Sequence, residues 1–174
     1  MLERISNRIA REICEVVPTL NREVIAYDLG IRLNWYSTLI LTAMLGWIFN
    51  DLIGSLIAFA ALVALRKFSG GVHFESLTVC TVVSALFLST VPHIPLTVTA
   101  MMYFTAVSLI VFIMYAPFEF EERNPSHWDK WSKAISSILV TSNFFILSPI
   151  FTIVIFVQAM TILPWKGVKT NDEN

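Results

Sequence analysis

The stretch "RKFSGGVHFESLTVCTVVS", residues 66–84, holds a histidine and a cysteine seven residues apart, directly after a double glycine. A thiolate is the nucleophilic form of cysteine, and an imidazole can take its proton or, once charged, stabilise it. His73 and Cys80 are therefore candidates for covalent acyl-transfer chemistry. At about 100° per residue, seven steps end about 20° short of two full turns, so one helix presents both side chains on the same face. They would still be about 10 Å apart along a straight axis, too far for direct contact. Gly70 and Gly71 offer a remedy, because glycine accepts backbone conformations closed to other residues and an unwound start would let His73 fold back. Arg66 and Lys67, just upstream, add positive potential that favours the thiolate. Each of these residues also has a purely structural reading: Cys80 as a small buried apolar side chain, His73 as a polar anchor at a helix mouth, and Gly70–Gly71 as a simple turn.

Other reactive side chains fit less well. Ser84 follows Cys80 by four residues on the same helix face, where a hydroxyl bonded back to the Cys80 carbonyl is the simpler reading. Cys14 has no histidine near it in sequence, His93 belongs to a different turn, and His127 lies in a polar loop. In that loop Glu119, Glu121 and Glu122 form an acidic cluster that suits either solvation or the docking of a basic peptide. Two cysteines are too few for a disulfide framework and fit a reducing cytosol. The pattern calls for no metal and no cofactor.

The elements that must position these residues are apolar. The chain is 56% hydrophobic with mean hydropathy +0.69, and 14% of it is charged against about 25% in a soluble domain, which places it among integral membrane proteins. A net charge of −1 gives no reason to expect nucleic acid. From Leu33 to Leu65 Asp51 is the single charge; a helix of that length would be about 50 Å long against a bilayer core of about 30 Å. A hairpin near Asn50 and Asp51, with arms at 33–49 and 52–65, fits better. Phe74–Val91 ends at "PHIP", where proline breaks the helical ladder, and Leu96–Tyr115 is uncharged throughout. After the polar loop 116–133, Ala134–Leu163 is divided by Pro149.

An all-α integral membrane protein with about six transmembrane helices is thus expected, two short hairpin pairs flanking two longer spans. With six spans all 12 basic residues sort to one side, so the positive-inside tendency places both termini and the Arg66 loop in the cytoplasm. Ile5, Ile9, Ile13, Val16 and Leu20 recur at helical spacing, which predicts an amphipathic N-terminal helix lying in the interface or packed on the membrane domain. The expected divisions are an amphipathic region 1–32, a transmembrane catalytic domain 33–163 and a disordered tail 164–174.

The residues 66–84 resemble the signature of the AgrB (accessory gene regulator B) family of bacterial membrane endopeptidases, and "YAPFEFEERNP", residues 115–125, is similar to that family's loop. The resemblance implies that Cys80 is the nucleophile and His73 the catalytic histidine. It implies supporting roles for Arg66 and Gly71, and with them Gly70, Ser84 and the glutamates 119, 121 and 122 are the candidate substrate-binding or supporting residues. The implied substrate is a short quorum-sensing precursor peptide with an amphipathic leader. Its C-terminal tail would be cleaved and the remainder cyclised to a thiolactone through a Cys80 thioester, near the cytoplasmic face of a bacterial plasma membrane. The lipid bilayer is a partner, and the resemblance leaves room for a homodimer. A small transporter or channel, or a non-catalytic membrane scaffold, are the competing readings.

Overall fold

The computed structural model describes residues 1–17, 19–71, 76–117 and 129–163. His73, Glu119, Glu121, Glu122 and the tail 164–174 lie outside the described residues. The described chain is all-α, with seven α-helices among those residues: α1 (Leu2–Val16), α2 (Arg22–Ile48), α3 (Leu52–Ser69), α4 (Leu77–Thr90), α5 (Val98–Tyr115), α6 (Asp129–Ile146) and α7 (Pro149–Thr161). A short 3-10 turn, Val91–His93, follows α4. The chain divides into two compact units, Met1–Ala60 with His73–Pro95, and Ala61–Val72 with Leu96–Asn174.

In the first unit α2 packs against α1 and α4. Asn21 starts α2 by accepting the Glu23 N–H at 2.9 Å, the usual service of an N-cap amide to a free backbone donor. The buried residues of α2 are Gly30, Asn34, Thr38, Thr42 and Gly46, one every four positions, while Tyr36, Ile40, Met44 and Ile48 are exposed on the opposite side. A helix in water buries its apolar stripe. This one buries small and polar residues and turns its large apolar ones outward, the pattern of helices that pack closely through small side chains and meet lipid with the rest.

The second unit shows that inversion only in part. Its helix α5 packs against α6 and α7, buries Thr105 and Ser108 together with Met101 and Phe112, and exposes Tyr103, Ile110 and Met114. Asn143 of α6 donates to Thr105 Oγ1 at 2.8 Å and to Thr152 Oγ1 at 2.7 Å, and its Oδ1 accepts the Ser148 N–H at 3.3 Å. Ser148 caps α7 by accepting the Phe151 N–H at 3.3 Å, and Pro149 occupies the first turn, where it leaves no backbone donor unsatisfied.

The expected six transmembrane helices are overturned. Among the described residues two helices, Leu52–Ser69 and Val98–Tyr115, are long and apolar enough to cross a membrane, with mean hydropathies of 1.7 and 2.0. The other candidates fail on length or composition. Helices α4 and α7 have 14 and 13 residues, about 20 Å at ~1.5 Å per residue against a core of about 30 Å. The expected arm 33–49 is the latter part of the longer α2, whose Asn34, Ser37, Thr38 and Thr42 dilute its apolar character. Helix α6 is diluted by five Ser and Thr and by Asn143. The placement of both termini and the Arg66 loop on one side rested on all 12 basic residues sorting together across six spans, and it falls with that count.

Candidate functional site

Cys80 lies in the first turn of α4, 2% exposed, and its N–H donates to the Ser76 carbonyl at 3.0 Å. Ser76 is the N-cap of α4 but makes no side-chain cap bond. That service comes from α1, whose Glu3 Oε1 accepts the Leu77 N–H at 2.6 Å; in the other direction Thr78 Oγ1 of α4 accepts the Leu2 N–H of α1 at 3.2 Å. The bond from Leu77, more than any other contact, holds the Glu3 carboxyl below the ordinary glutamate range, against the opposing effect of partial burial. Gly30 eases the close approach of α4 to α2: a Cβ there would stand 3.0 Å from Leu77 Cδ1, so the leucine would have to shift slightly.

The residue after the cysteine is tied to α2. Thr81 Oγ1 meets Asn34 Oδ1 at 2.7 Å and the Leu77 carbonyl at 3.0 Å, with both Asn34 and Thr81 buried. The Asn34 carbonyl in turn accepts from Thr38 Oγ1 at 2.7 Å. Thr81 therefore makes the back-bond of this turn, and Ser84, half-buried, makes none to Cys80. The other cysteine, Cys14, sits on α1 with its Sγ 3.6 Å from the Leu20 carbonyl.

Arg66, Gly70 and Gly71 belong to the second unit. The Gly70 N–H donates to the Arg66 carbonyl at 3.2 Å and closes α3, so it is not available to a substrate. Both glycines have positive φ, 69° and 129°, a region that side-chain-bearing residues rarely adopt. Gln158 of α7, 1% exposed, holds this turn by donating from Nε2 to Ser69 Oγ at 3.0 Å and to the Gly70 carbonyl at 2.7 Å. A Cβ on Gly71 would stand 2.9 Å from Thr161 Oγ1 and 3.1 Å from Gln158 Nε2. Arg66 is half-buried in the last turn of α3.

The cysteine and the glycine turn are thus each fixed by residues that the motif did not point to: Glu3 and Asn34 for the start of α4, Gln158 and Thr161 for the turn. Gln158 carried a signal, a lone amide within the apolar run "FTIVIFVQAM", since a buried amide needs partners. Glu3 carried none, because its partner is 74 residues away. Among the described residues no group of three or more His, Cys, Asp and Glu side chains is arranged to hold a metal ion.

Residues 2–167 match the family model of AgrB, accessory gene regulator B. A protein of Halalkalibacterium halodurans described as AgrB-like is 24% identical over 198 aligned positions, covering 100% of both chains. A second AgrB-like protein, from Clostridium perfringens, is 33% identical over 88 positions, 49% of this chain and 41% of its own. No solved structure matches the chain.

Proposed function

The chain belongs to the AgrB family, a membrane-associated setting for quorum-sensing precursor processing, and from that premise we propose that it is a cysteine endopeptidase in which Cys80 cleaves and cyclises a precursor peptide. The observation that carries this reading is the seat of Cys80: a thiol in the first turn of α4, with that turn bonded to both α1 and α2. A nucleophile must keep its geometry through two acyl transfers, and bonds from two helices supply that rigidity. His73 enters through its seven-residue spacing from Cys80 and the family resemblance.

In the proposed reaction His73 takes the thiol proton and Cys80 Sγ attacks the scissile carbonyl carbon. The tetrahedral intermediate collapses with cleavage of the C–N bond. His73 returns the proton to the departing amine, which leaves as the new N-terminus of the released tail. The leader and ring segment remain as a thioester on Cys80. A thiol within that segment then attacks the same carbonyl, forming the thiolactone and restoring the Cys80 thiol. One thioester replaces another, so little bond energy changes and no ATP is required. Burial of Cys80 supports the scheme because a thioester must be kept from water. Arg66, Gly70 and Gly71 are assigned a supporting role, Ser84 a place on the same helix, and Glu119, Glu121 and Glu122 a docking role for the peptide. Arg66 and Lys67 in the last turn of α3 support a site on the cytoplasmic side of a bacterial plasma membrane.

The channel alternative is disfavoured by the polar groups themselves. Asn143, Thr105 and Thr152 are bonded to one another, as in helix packing, and do not face a water path.

Replacing the ring-forming cysteine of a precursor peptide by alanine removes the second nucleophile and leaves the first step intact. The acyl-enzyme is then expected to accumulate as a mass increase on the Cys80 fragment, releasable by hydroxylamine. Tail release at full rate by a Cys80→Ala enzyme would exclude the reading. His73→Ala is expected to slow tail release by at least about a hundredfold, the lower end for loss of a general base; near-normal release would make His73 an anchor.

A further inference from the structure

We propose that the recess between α1 and the start of α2 binds the phosphate of an anionic phospholipid headgroup. Arg4, Arg8 and Arg11 recur at intervals of four and three on one side of α1, and Arg22 stands in the first turn of α2. Together with Glu3 and Asn7 they line a recess of about 450 Å³. The lining thus carries four arginines and one carboxylate, with Glu23 beside Arg22 in the adjoining recess, and the lining carboxylate already accepts the Leu77 N–H. Arg8 also meets Glu12 at 3.4 Å, with both side chains well exposed, a pairing that water screens. Among the described residues no ion pair joins Arg4, Arg11 or Arg22 to a carboxylate. A guanidinium presents a planar fork that matches phosphate, so this excess of positive charge is suited to a phosphate oxyanion.

What favours a lipid over a soluble acidic ligand is the side of α1 next to the arginines. The helix buries Ser6 and Ala10 against the protein and leaves Ile5, Ile9 and Val16 exposed. A soluble ligand covers the charges but not the isoleucines. A phospholipid covers both, its headgroup on the arginines and its upper acyl region on the apolar strip, which is how amphipathic helices lie in an interface. The site involves neither Cys80 nor the glycine turn, so it stands or falls independently of the proposed chemistry.

The test is native mass spectrometry of the full chain in detergent with added phosphatidylglycerol or phosphatidylcholine. Wild type is expected to retain phosphatidylglycerol at least about tenfold better, since each arginine near an anionic surface contributes on its own. The combined Arg4→Gln, Arg11→Gln and Arg22→Gln variant is expected to lose that preference. Arg32→Gln is expected to keep it, because Arg32 Nε is already 2.9 Å from Asp28 Oδ2. Equal retention of the two lipids by wild type, or an undiminished preference in the triple variant with wild-type helix content by circular dichroism, would overturn the proposal. If the triple variant loses helix content, the single variants Arg4→Gln, Arg11→Gln and Arg22→Gln decide: a partial loss of the preference in the folded ones supports the site, and an undiminished preference in all of them overturns it. Displacement of phosphatidylglycerol by an equal concentration of a short Asp/Glu-rich peptide would assign the recess to peptides instead.

Discussion

The two units hold their critical segments by different means. In the first, the start of the cysteine helix is fixed by a carboxylate from α1 and an amide from α2, and the carboxylate is partly open to solvent. In the second, the glycine turn is fixed by Gln158, a neutral amide that is fully enclosed. A charged, partly solvated anchor responds to pH and salt and contributes modestly. A buried neutral anchor responds to neither, but its removal strands polar groups where water cannot reach them. The second unit should therefore tolerate substitution at Gln158 poorly, and the first should tolerate substitution of its carboxylate, Glu3, well but in a pH-dependent way.

The largest effect is expected at the glycine turn. Gly71→Ala combines a φ of 129° with a Cβ 2.9 Å from Thr161 Oγ1, so strain and contact act together. A cost of about 1–3 kcal/mol is expected from the backbone conformation alone. Gln158→Leu leaves Ser69 Oγ without its amide donor and takes from the Gly70 carbonyl its shorter bond, leaving only the Ser69 hydroxyl at 3.3 Å, and should cost about 1–3 kcal/mol. Thermal unfolding in detergent measures both, and precursor cleavage should fall in parallel. An unchanged melting point in either variant would mean that the turn is not held as described, and would remove the contrast between the units.

These anchors also mark where sequence reading stops. The helix breaks were legible, because Asn50–Asp51, Pro92–Pro95 and Pro149 carry strong local signals, and each falls between or at the start of observed helices. The span count was not legible. Apolar run length locates greasy sequence but does not say where a helix begins, and α2 starts at Arg22, eleven residues before its apolar run at Leu33. The i, i+4 series from Gly30 to Gly46 was written plainly in the sequence, but its meaning depends on which side of the helix is covered. Cys80 was picked out by its motif alone. Glu3 and Asn34 were not legible, because each acquires its partner only through tertiary packing.

Within the first unit a single substitution type should act in opposite directions. Thr81 and Thr42 are both buried, but Thr81 Oγ1 bonds Asn34 and Leu77 whereas Thr42 Oγ1 has no hydrogen-bond partner. Thr81→Val deletes a satisfied hydroxyl and leaves the Asn34 Oδ1 acceptor unpaired, at an expected cost of about 1–2 kcal/mol. Thr42→Val deletes an unsatisfied hydroxyl and keeps the shape, with an expected gain of up to about 1 kcal/mol. Melting points of the two variants should move apart. If both fall equally, burial volume and not hydrogen bonding governs the α2 stripe.

The smallest effect is expected at Glu3, and it is the one that tests the charged character of the first unit's anchor. The folded state holds this carboxyl below its ordinary range because the ionised form accepts the Leu77 N–H. A depressed folded pKa means that the contribution is present above the unfolded value and is lost as pH falls through the folded one. Docking of α1 on α4 should therefore be complete at neutral pH and weaken progressively below about pH 4. Glu3→Gln replaces the anion by a neutral acceptor, so the docking should be slightly weaker at neutral pH and no longer weaken with acid through this group. Hydrogen exchange reads this at one position, as the protection factor of the Leu77 amide, which removes the intrinsic pH dependence of exchange. Wild type should exceed Glu3→Gln at neutral pH, and the two should converge on acidification. Identical protection at every pH would mean that Glu3 acts as a shape and not as a charge, and the distinction drawn between the two units would then rest on burial alone.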